Sequence, residues 1–247
     1  MPDRVDLPKT QFDRSYFDAG ETRPGYFSTY SWDNYGQEAR TTADLLFRWF
    51  SPRTVLDVGC AKGFLLRAIK DKGSAVQGVD ISKYALSCAD QEVRQRTFLL
   101  DVNREKLPFV DRTFDLVTCF GTVEFLTNYD HAVMEMARVL KDRGILVIKT
   151  AYRRADATDP RLICHRRGWW IQYFRSRDFE YLKAQSDELR GELLRVMAES
   201  VVNRGCTWRA KIGRHVYGLG YVGRKIAARL RSDAAMVVLV LRKNGSR

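Results

Sequence analysis

The sequence predicts an α/β protein built on a doubly wound parallel β-sheet. From residue 54 onward, short apolar runs alternate with longer amphipathic ones, as in successive β-α units. The apolar runs near 97–101, 114–120 and 144–150 are continuous, as expected of parallel strands covered on both faces. The chain has 247 residues, 45% of them hydrophobic, which suffices for one large domain with a buried core.

The elements of residues 54–150 follow in order. The predicted strands are TVLDVG (54–59), AVQGVD (75–80), TFLLD (97–101), FDLVTCF (114–120) and GILVIKT (144–150), and the first two helices are GFLLRAIKDKG (63–73) and SKYALSCAD (82–90). A capping box of Thr127 and Asp130 opens the helix before the last of these strands. Val133, Met136, Ala137 and Leu140 share one face of that helix.

Beyond residue 150 the alternation is less regular. A polar loop at 150–168 precedes an aromatic helix start, WWIQYF (169–174), and the remaining elements are a short strand at 179–182, a helix at 187–205 ending at Gly205, and a final strand at 236–243. We predict an N-terminal helical and aromatic segment, 1–50, and a main domain, 51–247. The main domain carries an acceptor-shaping, basic helical insertion at about 151–232.

The composition argues against several classes of protein. Five scattered cysteines without a C-x-x-C pair, and only three histidines, indicate a reduced, cytoplasmic protein without structural zinc or another metal. The N-terminus lacks an apolar signal region, and the longest apolar run, 234–241, is too short to cross a membrane. The oligomeric state is not indicated.

The net charge of +12 is concentrated at the end of the chain. Residues 203–247 carry 11 Lys/Arg against 1 acid, whereas residues 1–150 carry 21 of each. Within this tail, YVGRKIAARLRS (221–232) predicts a short basic helix. It docks on its own domain, on an anionic membrane surface or on an acidic substrate, and these alternatives stay open.

GLGYVG at 218–223 fits the G-x-G-x-x-G spacing of dinucleotide-binding proteins. The preceding RHVY is not a buried strand, and too few residues follow for a β-α-β unit. We therefore interpret the match as accidental and expect no NAD site.

VLDVGCAKGF (55–64) is the stretch that predicts a ligand. A strand runs into a tight turn with Gly59, Ala61 and Gly63 and then into a helix, which leaves backbone N–H groups accessible at the sheet edge. Asp57 precedes the turn, where its carboxylate would repel a pyrophosphate and attract an ammonium group. This combination favours a nucleoside that carries an amino acid.

Two further acids follow the next two strands. Asp80 ends the second strand, where a carboxylate accepts both hydroxyls of a ribose. Asp101 ends the third strand, where it is placed to accept from an adenine amino group. Each acid alone is also explained as a turn or helix cap. The three together favour a ligand.

These motifs closely resemble those of the class I S-adenosylmethionine-dependent methyltransferases, in their small-molecule branch. The resemblance rests on VLDVGCAKGF, VQGVDIS, LLDVN, FDLVTCFGTVEFL and RVLKDRGILVIK, and MVVLVLRK matches the antiparallel last strand of that fold. It implies a seven-stranded, mostly parallel, Rossmann-like sheet and S-adenosylmethionine as cofactor, with S-adenosylhomocysteine as product.

The resemblance also implies the cofactor contacts. The methionine moiety would lie among Asp57, Gly59, Cys60, Ala61 and Gly63, with Phe120 and Gly121 on its other side, the ribose at Asp80 and Ile81, and the adenine at Asp101 and Val102. Phe120 is alternatively a core residue, since it ends an apolar strand.

The catalytic residues are less clearly marked. The family often has Glu-His where this chain has Glu124-Phe125, so a histidine base at that position is in doubt. Glu124 is then the first candidate base, or it hydrogen-bonds the acceptor or the loop. In an acceptor-loop motif at 159–170 the usual histidine is replaced by Leu162. His165 either recovers the role or is a solvated loop residue.

Residues 12–35 hold eight aromatic side chains. Aromatic faces attract sulfonium-like cations and exclude water, so Tyr16, Tyr26, Tyr30 and Trp32 are predicted to form a lid over cofactor and acceptor. A hydrophobic belt packed on the sheet edge is an equal alternative. Trp169, at the start of the aromatic helix, is a further candidate acceptor contact.

The expected function is methyl transfer to an oxygen or nitrogen of a small-molecule or glycan-like acceptor. One alternative is an RNA methyltransferase, which the basic tail favours. The neutral cofactor half and the lack of a recognised RNA-binding motif argue against a nucleic-acid partner. The other alternative is a non-catalytic scaffold that binds S-adenosylmethionine.

Overall fold

The computed structural model describes residues 12–18, 29–151, 165–211 and 236–245. The helices are α1 (Arg14–Asp18), α2 (Trp32–Phe50), α3 (Phe64–Lys70), α4 (Lys83–Ser87), α5 (Gln91–Arg94), α6 (Tyr129–Val139), α7 (Arg167–Arg175) and α8 (Lys183–Lys211). The strands are β1 (Thr54–Val58), β2 (Ala75–Asp80), β3 (Thr97–Leu99), β4 (Phe114–Phe120), β5 (Leu140–Ala151), β6 (Phe179–Tyr181) and β7 (Met236–Lys243). A 3-10 turn, Val123–Phe125, follows β4.

The seven strands form one sheet in the order β3-β2-β1-β4-β5-β7-β6. β1 pairs in parallel with β2 and β4, whereas β7 runs antiparallel to both β5 and β6. The predicted doubly wound, mostly parallel sheet and its antiparallel last strand are therefore confirmed. The carboxyl ends of β1, β2, β3 and β4 meet at one edge of the sheet, where the candidate site lies.

Helices cover both faces of this sheet. On one face, α6 and α7 bury Met136, Trp170 and Phe174. On the other, α2 and α8 bury Leu46 and Leu189 together with residues of α3. The continuous apolar runs of the central strands are thereby shielded from water on both sides.

The third strand differs from its prediction. β3 ends at Leu99 and stands at the sheet edge, where Phe98 and Leu99 are 40% and 59% exposed. Its apolar run is therefore not covered on both faces.

Local caps correct two predicted helices. The helix predicted over 82–90 is two short helices, α4 and α5, whose N-caps Ser82 and Asp90 accept backbone N–H bonds from within their own helices. α6 begins after Asn128, whose side chain accepts from the His131 N–H. The predicted capping box is wrong, because the Asp130 carboxylate bonds to α7 instead.

The end predicted for α8 is also wrong. The helix continues through Gly205 to Lys211. A glycine lowers helix stability by roughly 1 kcal/mol but does not by itself end a helix.

Some predictions fall outside the described residues, namely residues 152–164 of the loop predicted at 150–168, the glycine motif at 218–223 and the basic helix at 221–232. In the part of the chain that the structure does describe, no helix is both long and apolar enough to cross a membrane.

Candidate active site

The turn between β1 and α3 depends on left-handed backbone conformations. Gly59, Ala61 and Gly63 have φ angles of 81°, 48° and 74°. A Cβ atom on Gly59 would lie 1.9 Å from Thr122 Oγ1, so that position has space only for glycine. The local sequence therefore explains why the chain turns so tightly here.

Backbone hydrogen bonds join this turn to the end of β2. The N–H groups of Gly59 and Cys60 both donate to the Val79 carbonyl, at 2.8 and 3.1 Å. The next N–H group, from Ala61, donates to Asp80 Oδ2 at 2.8 Å. The glycine-rich turn and the Asp80 carboxylate are thus held as one unit.

Asp80 is held by two backbone donors. Ala61 N donates to its Oδ2, and Ser82 N donates to its Oδ1 at 2.7 Å. Burial raises the pKa of Asp80 above its usual value, while these N–H groups act in the opposite direction. Each carboxylate oxygen keeps a further lone pair. The side chain faces a cavity, so it is placed to accept from a ligand.

Asp101 lies two residues beyond β3 and faces the same cavity. Its Oδ1 accepts from the Asn103 N–H at 3.1 Å, and its own N–H donates to Glu105 Oε1 at 2.9 Å. This turn fixes the carboxylate beside Asp80 on the neighbouring strand outlet.

Asp57 lies beneath the turn and does not line the cavity. Its Oδ1 accepts from Thr118 Oγ1 at 2.7 Å. Burial raises the pKa of Asp57 to about 7, with a smaller contribution from Asp80, while Thr118 and Lys149 act in the opposite direction. Its predicted contact with the methionine ammonium stays a prediction.

The cavity measures about 110 Å³. Nine of its lining residues were predicted as ligand contacts: Tyr30, Gly59, Ala61, Asp80, Ile81, Asp101, Val102, Phe120 and Gly121. Tyr16, a predicted lid residue, also lines it. Lining residues that the sequence did not single out include Phe12, Phe17 and Phe125. The aromatic richness of 12–35 was the only signal for the first two.

Two other predicted cofactor contacts lie behind the turn. Cys60 is buried against Gly78, whose Cβ position is 2.7 Å from the Cys60 sulfur, and Gly63 packs towards Val93. Neither Cys60 nor Gly63 lines the cavity.

Glu124 is buried behind the cavity wall. It is 6% exposed, it accepts from Thr150 Oγ1 at 3.1 Å, and its Oε1 lies 4.0 Å from the Cβ position of Gly121. It does not line the cavity, although its neighbour Phe125 does. A role for Glu124 as a base stays a prediction.

His165 and Trp169 belong to an aromatic stack outside the cavity. Their rings lie 3.6 Å apart, Trp169 also stacks on Tyr173 at 5.1 Å, and the Arg177 guanidinium lies 3.6 Å from the centre of the Tyr173 ring. Trp169 is 36% exposed, and neither His165 nor Trp169 lines the cavity. Their predicted roles as base and acceptor contact stay predictions.

Of the remaining predicted lid residues, Tyr30 lines the cavity and Trp32 does not. Trp32 opens α2, where the guanidinium groups of Arg67 and Arg40 lie 4.5 and 5.0 Å from its ring, and it does not line the cavity. Tyr30 lines the cavity and stacks on Phe64 at 4.8 Å. Tyr26 lies outside the described residues.

Residues 56–148 match a family described as "Methyltransferase domain". The chain is 32% identical over 124 residues to a malonyl-[acyl-carrier protein] O-methyltransferase of Pseudescherichia vulneris, which covers 49% of each chain. It is 33% identical over 126 residues to a demethylmenaquinone methyltransferase of Bacillus pumilus, which covers 48% of this chain and 51% of the relative. The chain therefore spans about half the length of the curated relatives that it matches.

Solved structures share the fold over more of the chain. Phosphoethanolamine N-methyltransferase 2 of Haemonchus contortus has a TM-score of 0.62 and 18% identity, covering 98% of this chain and 61% of the other. The [4+2]-cyclase SpnF has a TM-score of 0.56 and 22% identity, covering 85% and 83%. Because these two proteins are named for different reactions, the shared fold does not fix an activity.

Proposed function

We propose that this chain is a class I S-adenosylmethionine-dependent methyltransferase that transfers a methyl group to an oxygen or nitrogen atom of a small-molecule or glycan-like acceptor. One observation carries the proposal. Asp80 and Asp101, at the outlets of neighbouring strands, face one aromatic cavity beside a left-handed turn.

The residues of the cavity fit S-adenosylmethionine. The two oxygens of Asp80 suit the two ribose hydroxyls, and Asp101 suits an amino group of adenine. Aromatic rings, including those of Tyr16, Tyr30 and Phe120, suit a sulfonium cation. Within the described residues, the cavity lining includes two carboxylates and no lysine or arginine, which also favours a cationic ligand.

The cofactor supplies a methyl group that is already activated on sulfur, so this chain chiefly aligns and encloses the reactants. The turn at 59–63 forms one side of the cavity, and Phe120 and Gly121, at the end of β4, form the other side. The rings of α1 exclude water. Glu124 and His165 would act as bases only for an acceptor that arrives protonated.

The names of the relatives support a small acceptor. Both curated relatives are named for acceptors other than a nucleic acid.

Two measurements test the proposal. Calorimetry should detect binding of S-adenosylhomocysteine to the purified chain. Incubation with methyl-labelled S-adenosylmethionine and a panel of carboxylates, phenols, amines and glycans should then transfer label to one class. Absence of binding would overturn the cofactor site, whereas binding without transfer to any acceptor would favour the scaffold alternative. Transfer to RNA alone would overturn the small-molecule assignment.

A further inference from the structure

We propose that Lys62 is a positioning residue, which holds α1 over the cofactor cavity by binding the Asp18 carboxylate. The inference deepens the proposed function and rests on it, because it assigns the cavity to the cofactor. Lys62 lies inside the glycine-rich turn but does not itself line the cavity. It therefore acts through α1.

One carboxylate connects three elements. Asp18 is the last residue of α1, and its Oδ1 accepts from Lys62 Nζ at 2.8 Å. Its Oδ2 accepts from the hydroxyl of Tyr84, in α4. Lys62 belongs to the turn after β1, and α4 follows the strand that ends in Asp80. Asp18 thus bonds α1 both to the turn after β1 and to α4, the helix that follows Asp80.

The contact is shielded from water on the lysine side. Lys62 is 9% exposed, and its ammonium lies 5.9 Å from the Phe17 ring and 5.6 Å from the Tyr84 ring. Burial acts to raise the pKa of Asp18, but Lys62 and Tyr84 outweigh it and leave the pKa below its usual value. Asp18 is therefore ionised near neutral pH, as an ion pair with Lys62 requires.

α1 depends on such contacts for its position, because a five-residue helix is not stable alone. Two backbone carbonyls are held as well. Ser82 Oγ donates to the Phe12 carbonyl, and Tyr30 N donates to the Phe17 carbonyl at 2.8 Å. Lys62 supplies the charged link between this lid and the turn.

In this position α1 covers the cavity. Phe12, Tyr16 and Phe17 form part of the wall. A nucleoside that carries an amino acid therefore enters and leaves only when α1 moves, and the Lys62–Asp18 contact must break for that movement.

Lys62→Met tests the inference, with Lys70→Met as the matched control. Lys70 lies on α3 and pairs with Glu92 of α5, away from α1. In Lys62→Met we expect faster hydrogen exchange of the 14–18 amides in ligand-free protein. We also expect S-adenosylhomocysteine to dissociate about five-fold faster in stopped flow, the scale of a partly exposed ion pair. Lys62→Arg and Lys70→Met should both behave like the wild type.

The outcomes separate the two proposals. If the wild type binds S-adenosylhomocysteine but Lys62→Met changes neither exchange nor dissociation, the role of Lys62 is overturned and the proposed function stands. If the wild type does not bind the ligand, the proposed function fails, while exchange at 14–18 still tests the contact. Equal acceleration in Lys70→Met would show a general loss of stability and overturn the inference. If Lys62→Met does not fold, Asp18→Ala removes the other partner of the contact. It must then accelerate both readouts, and unchanged rates overturn the inference.

Discussion

Replacing Asp80 with alanine tests the cofactor site most directly. The carboxylate accepts from the buried N–H groups of Ala61 and Ser82 and also faces the cavity. Asp80→Ala therefore has two separable effects. It leaves two backbone donors without their acceptor, and it removes a charged acceptor from the proposed ribose hydroxyls.

The structure sets the size of both effects. A buried donor left unpaired costs about 1–3 kcal/mol. Since both donors lie beside a cavity that water can enter, we expect a loss of about 1–3 kcal/mol for the pair. A hydrogen bond to a charged group contributes about 1.5–3 kcal/mol, so the dissociation constant of S-adenosylhomocysteine should rise roughly 10- to 150-fold.

Calorimetry measures the affinity, and urea unfolding measures the stability. Asp115→Ala is the matched control, because the Asp115 carboxylate accepts from the Arg53 and Thr54 N–H groups at the opposite end of the sheet. It should lose comparable stability and keep its affinity. If Asp80→Ala binds the ligand as tightly as Asp115→Ala does, the ribose has been misplaced.

Three further predictions concern the surroundings of the cavity. Glu124→Gln should lower kcat less than about ten-fold in a steady-state assay, because the carboxylate bonds to Thr150 behind the wall; a loss of about 10²–10⁴-fold would instead identify a base. Gly59→Ala should lower the unfolding free energy by at least about 1–3 kcal/mol, because its φ is 81° and its Cβ would meet Thr122; an unchanged urea midpoint contradicts this. Burial raises the pKa of Asp57 from 3.8 to about 7, so between these pH values the folded protein binds a proton that the unfolded chain does not. The free energy of unfolding of the wild type should therefore fall relative to that of Asp57→Asn as pH rises from about 4 to about 7. Parallel stability profiles of the two proteins would refute that assignment.

The central sheet was predictable because its signal is local. β4 and β7 have the predicted bounds, and each is a mostly apolar run that the sequence shows directly. The exposure of Phe98 and Leu99 was not predictable, because an apolar run does not reveal which strand stands at the edge. The failure of the predicted capping box has a similar long-range cause, since Asp130 bonds to Tyr173 on another helix.

The turn and the two acids that line the cavity were predictable for the same reason. Gly59 and Gly63 predict a tight turn, and their φ angles are positive in the structure. Asp80 and Asp101 end successive strands of the predicted parallel sheet, and both line the cavity. The contact of Lys62 with Asp18 joins residues 44 positions apart and leaves no periodicity in the sequence. Local motifs therefore locate the turn and the two acids of the cavity. The position of α1 over the cavity depends on contacts between residues that are far apart in the sequence.

Phe125 lines the cavity and also contacts the aromatic side chains at and before α1. It stands where the family often has a histidine, it lines the cavity, and its ring lies 5.5 Å from Phe12 and 6.5 Å from Tyr16 in edge-to-face contacts. A histidine at this position would offer a proton acceptor, whereas phenylalanine offers an apolar surface for α1. The exchange favours an acceptor whose nucleophilic atom needs no proton removed at this position. Under the proposed function, we then expect rate enhancement to depend on alignment of the two reactants and on the exclusion of water by α1.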